Sequence, residues 1–74
     1  MSTSSISQLL EDTRQAIHEA VAAENGTDRQ RSAAHHAQSL ANTVLTDPTA
    51  GHQDMERAGY YLDEALGIQA IESA

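Results

Sequence analysis

Three stretches of the chain carry apolar residues at helical spacing, and two short polar breaks separate them. In the first, Ile6, Leu9, Leu10, Ile17 and Val21 recur at three- and four-residue intervals, with Thr13, Ala16 and Ala20 filling the same stripe. Asp12, Gln15, Glu19 and Ala22 take the opposite side. Ser5 stands three residues before Gln8, the spacing of a capping box, in which each side chain satisfies a backbone N–H of the other. Asn25-Gly26 offers two residues that tolerate the left-handed conformation of a helix end. The pattern predicts a first helix over about 5–24.

Thr27 and Gln30 repeat the capping-box spacing, and Asp28 suits the positive end of a helix dipole. A second helix is predicted over about 28–45, its inner stripe formed by Ala33, Ala34, Ala37, Leu40, Ala41, Val44 and Leu45. The first half of that stripe is alanine, so a neighbouring helix can approach closely there. The short link between these two helices favours an antiparallel hairpin. Pro48 then disfavours helical geometry at Asp47 and ends the second helix by Thr46. Asp47 could cap a new helix with Pro48 at its first position. The preferred alternative is a loop closed by Gly51, with the third helix starting near His52.

The third stretch, Asp54 to Ile71, carries two apolar sets. Met55, Ala58, Gly59, Leu62, Ala65 and Leu66 form one helical face, read here as core. Tyr60, Tyr61, Ile68 and Ile71 fall on the side turned away from it if the helix continues through Gly67. Gly67 leaves two endings open. The helix closes there as a left-handed cap near residue 66, with Ile68 folding back onto Leu62, or it runs to about 72 at a cost near ~1 kcal/mol relative to alanine.

These elements imply an all-α fold, a small antiparallel three-helix bundle, with 1–74 as a single helical domain. The residues expected inside are Ile6, Leu9, Leu10, Ile17, Val21, Leu40, Val44, Leu45, Met55, Leu62 and Leu66. Composition narrows the picture. There are thirteen Ile, Leu, Val and Met residues after Met1, no Phe and no Trp. Such a core is thin, and a chain this short is marginally stable alone. No cysteine is present to cross-link it or to hold a metal.

Charge is lopsided: eleven carboxylates against four arginines and no lysine, a formal charge of −7. A phosphate-binding surface needs the opposite balance, so direct nucleic-acid binding is not expected. Neither is an anionic membrane surface. No segment is apolar and long enough to span a bilayer, and no signal-peptide pattern opens the chain; the expected compartment is the cytoplasm.

Candidate chemistry is sparse. His35 and His36 are adjacent and diverge on a helix, and no His-x3-His or Glu-x-x-His pair occurs. A metal site joining His18 to His36 would have to be assembled between helices. Glu11-Asp12 and Asp63-Glu64 likewise diverge, whereas a catalytic dyad needs convergence. No catalytic or cofactor-binding residue, cofactor or metal is assigned. Met55-Glu56-Arg57-Ala58, followed by Tyr61 and Ala65-Leu66, resembles the second helix of a tetratricopeptide repeat, and Leu40-Ala41-Asn42 resembles part of its first. The likeness covers about half the chain and a single unit, where such arrays need about three. It is read as two packed helices sharing a spacing, and no family is assigned.

The functional expectation is a non-catalytic protein acting through protein–protein interaction, with another protein or with itself as a homodimer. Its partner-binding residues are expected to be Tyr60, Tyr61, Glu64, Ile68 and Ile71. The alternative is an acidic, phage-type inhibitor of a nucleic-acid-binding or defence protein; the dispersal of the carboxylates along all three helices weighs against it.

Overall fold

A computed structural model of the chain describes residues 5–73, with side chains described from 5 to 69. Three helices follow one another: α1 (Ile6–Ala22), α2 (Asp28–Leu45) and α3 (His52–Ser73). Ser5 caps α1, its hydroxyl accepting from the Gln8 backbone N–H at 3.1 Å. The reciprocal half of the expected box is absent. The Gln8 side chain turns down the helix instead and donates to Asp12 Oδ1 at 2.8 Å.

The end of α1 differs from the sequence expectation. The helix stops at Ala22, and Ala23 is already extended, with ψ of 156°. Asn25-Gly26 does not cap it. It forms the centre of a turn from Glu24 to Thr27, whose N–H and hydroxyl both donate to the Glu24 carbonyl, at 3.3 and 2.7 Å. Gly26 sits at φ +81°, the value that the third position of a type II turn requires and that glycine adopts without steric cost.

One side chain holds this reversal together. Gln30, in the first turn of α2, is 6% exposed. Its Oε1 accepts from the Gly26 N–H at 3.0 Å, and its Nε2 donates to Asn25 Oδ1 at 3.1 Å and to the Ala20 carbonyl at 3.3 Å. Ala20 belongs to the last turn of α1, where carbonyls have no intrahelical partner. Gln30 therefore caps the end of one helix from the start of the next. Its own N–H is capped by the Thr27 hydroxyl at 3.2 Å.

The second break is closed locally. Asp47 Oδ1 accepts from both the N–H and the hydroxyl of Thr49, at 2.8 and 2.7 Å. Those bonds, the hydroxyl first, hold the Asp47 carboxyl below its ordinary range. The third helix begins after the loop, at His52 rather than at Pro48. Gly51 N–H donates to Asp54 Oδ2 at 3.1 Å, and the Gly51 carbonyl accepts from Met55 N–H at 3.0 Å, so Asp54 ties down the first turn.

Three core layers set the topology. Leu10, Val44 and Ala58 make the lowest, flanked by Ile6, Leu9, Leu45, Ala50 and Tyr61. Ala16, Ile17, Ala37 and Ala65 make the middle one, again touched by Tyr61. Ala20, Ala33 and Ala34 make the highest, covered by Ile68. Residue numbers rise through the layers in α1 and α3 and fall in α2. The chain therefore runs up, down and up, with α1 and α3 parallel. Thr13 is fully buried and returns its hydroxyl to the Leu9 carbonyl at 2.6 Å, which satisfies it without a partner from another helix.

The core face of α3 is not the one expected. Ala58, Tyr61, Ala65 and Ile68 point inward. Met55 and Leu66 are 38% and 44% exposed, and Leu62 is half-buried. The reason is complementarity of size. The upper and middle layers of α1 and α2 present mostly alanine, and the bulk of Tyr61 and Ile68 from α3 covers them. Val21, also expected inside, is 66% exposed. Leu10, Ile17 and Val44 are buried, while Ile6, Leu9, Leu40 and Leu45 are half-buried. The helix runs on through Gly67, so Ile68 reaches the core from within a continuous helix rather than from a cap.

Two predictions follow from this architecture. Gln30→Ala leaves the Ala20 carbonyl and the Gly26 N–H without their partner, and should cost about 2 kcal/mol in urea or guanidinium unfolding. Gly67 has no heavy atom within 4 Å of the position a Cβ would occupy. Gly67→Ala should therefore gain about 0.5–1 kcal/mol by restricting the unfolded chain, read as a higher denaturation midpoint at unchanged slope.

Candidate interaction surface

The seam between α1 and α3 opens into a groove of about 510 Å³. Ile17, Val21 and Ala22 of α1 and Tyr61 of α3 give it apolar walls; Arg14, His18 and Glu64 form its polar rim. The groove exists because α1 offers a broader apolar stripe than α2 can cover. Ala16 and Ala20 turn toward α2, which leaves Val21 and the outer edge of Ile17 beside α3. There α3 contributes Tyr61 and Glu64, of which Tyr61 is the apolar wall.

Charges around the groove are unevenly satisfied. Arg14 Nη2 and Nε donate to the two Glu11 carboxylate oxygens at 2.6 and 3.2 Å, and Gln15 adds a bond to Glu11 at 3.2 Å. The Arg14 bond first, then that from Gln15, holds the Glu11 carboxyl below its ordinary value of 4.5. Glu64 makes no ion pair or hydrogen bond among the described residues, and the same is true of Arg57.

The five residues singled out from the sequence do not form one patch. Tyr61 and Glu64 line the α1/α3 groove. Tyr60 is 64% exposed and lies on a separate shallow surface with Gln53, Glu56 and Arg57. Its ring centroid is 6.1 Å from that of Tyr61, so the two tyrosines bridge the two surfaces. Ile68 packs under the upper core layer, which corrects its placement on a face turned away from the core. The Ile71 side chain lies outside those described. Sequence reasoning missed Arg14, His18, Val21 and Ala22. The signal for Val21 was present, since it is the last member of the α1 stripe and only alanine, glycine and polar residues follow it before α2.

A second, polar cleft of about 360 Å³ lies between α1 and α2, lined by Asp12, Gln15, Glu19, Ser32 and His36 with Ala16 and Ala33. No hydrogen bond joins Ser32, His36 and Asp12 to one another. His36 opens on this cleft and His18 on the other, so the two are not brought together. His52 meets Glu56 at 3.2 Å in a fully surface setting. Among the described residues no three His, Asp or Glu side chains converge as metal ligands, and no helix is long and apolar enough to cross a membrane. Comparison with protein families, curated proteins and solved structures finds no match to this chain.

Proposed function

We propose that this chain is a small cytoplasmic, non-catalytic protein that acts by binding another protein along the outer side of α3. The observation that carries this reading is the apolar groove beside Tyr61, where Val21 stands 66% exposed although the chain has few large apolar residues to spare. Apolar surface left open in a mouth rimmed by polar groups is the ordinary anatomy of a protein-binding site. The net charge of −7 favours partners other than nucleic acid and lipid, and it speeds encounter with any basic protein surface.

Val21 is exposed, so Val21→Arg should leave the circular dichroism spectrum and the unfolding midpoint nearly unchanged. It should reduce capture of the partner from host extract at least tenfold, the loss of one interface anchor. Capture that survives Val21→Arg would place the binding surface elsewhere. The acidic-inhibitor alternative makes a different prediction for the captured partner. Affinity would collapse between low and physiological salt, whereas an apolar groove with dispersed charge loses only a little.

A further inference from the structure

We infer that the partner at the outer side of α3 is a second copy of this chain, docked antiparallel to the first across the Tyr60–Tyr61 pair. This rests on the reading above, that α3 and its groove are a protein-binding surface, and adds which protein binds. The outer face of α3 is self-complementary. Arg57 and Glu64 are both exposed, and neither has an ion-pair or hydrogen-bond partner within the described chain. They stand seven residues apart in one continuous helix, two turns along the same face and about 10.5 Å along the axis.

A two-fold contact between identical surfaces pairs residue i with j and j with i. If two α3 helices lie antiparallel with the axis between residues 60 and 61, Arg57 of each copy faces Glu64 of the other, and both unpaired charges are answered twice. In the same register Tyr60 lies against the partner's Tyr61, two aromatics with polar tips that suit a half-wet interface. Glu56 and Asp63 each sit about 100° around the helix from Arg57 and Glu64, to the side of the contact. The two Glu64 side chains are about 10.5 Å apart along the axis, beyond the ~8 Å screening length at physiological salt. The docked helix also covers the mouth of the groove, where Val21 is exposed. No comparable register exists for a parallel pairing, which would set Arg57 against Arg57 and Glu64 against Glu64.

Sedimentation equilibrium on the full chain tests this. The wild type should show a concentration-dependent dimer. Arg57→Glu and Glu64→Arg should each raise the dimer dissociation constant about tenfold or more, with unchanged helical spectra. The double exchange Arg57→Glu/Glu64→Arg should return it to within about threefold of wild type, because the pairing is restored with its sign reversed. Since the chain has no cysteine, a fold-independent probe is available. Tyr60→Cys should form an intermolecular disulfide on mild oxidation, while Gln53→Cys should not, because the register separates the two copies of residue 53 by about 22 Å. A wild type that stays monomeric at millimolar concentration overturns the inference, and so does a double exchange that fails to rescue. Equal cross-linking at 53 and 60 overturns it as well. None of these results touches capture of a different protein through Val21, so failure of the dimer and failure of the binding reading are distinguishable.

Discussion

Alanine at the helix seams is the constraint on which the rest of the structure depends. Among the described residues, eight of the eleven buried apolar side chains are alanine, and they recur in every layer: Ala16 and Ala20 on α1, Ala33, Ala34, Ala37 and Ala41 on α2, Ala58 and Ala65 on α3. Small side chains let helix backbones approach closely. A core of this kind removes little area from water per residue, at roughly 25 cal/mol per Å². Its stability has to come from density and from satisfied ends rather than from bulk. The caps meet the second need: Ser5 on α1, Thr27 on α2, Asp54 on α3, and above all Gln30, which closes the α1–α2 reversal from the inside.

The same constraint shapes the surface. Because most buried positions hold alanine, with Leu10, Ile17 and Val44 the larger exceptions, several other large apolar side chains lie at the margins. Tyr61 and Ile68 fill what the alanines leave open, while Val21, Met55 and Leu66 end up exposed. The groove between α1 and α3 is thus a by-product of tight packing elsewhere. Under the proposed function, a protein–protein contact there would use that exposure and would bury apolar area that the monomer leaves open.

The existence, order and type of the three helices could be read from the sequence, because apolar periodicity and capping spacing are local signals. The turn chemistry could be read too, though its details shifted. Gln30 was seen as half of a capping box, yet it does more by reaching back to Ala20, a contact across the hairpin that no local pattern encodes. The rotation of α3 was not legible. Both candidate faces of that helix are apolar, and the choice between them depends on what α1 and α2 present, which is alanine. Leu62 and Leu66 read as core because leucine usually is; the helix instead turns Tyr61 and Ile68 toward the alanines of α1 and α2. For the same reason the candidate site was half legible: Tyr61 and Glu64 were on the sequence's side of the groove, and the α1 wall was not.

Whether the three helices meet without slack is tested most directly at Ala37. This fully buried residue shares the middle layer with Ala16, Ile17 and Ala65. Equilibrium unfolding of Ala37→Leu measures the room available. If the seams are as tight as described, the added bulk forces the helices apart and costs about 1–3 kcal/mol or more, despite the gain in apolar volume. A variant as stable as the wild type, or more stable, would show that the alanine seams hold spare space and would contradict the account.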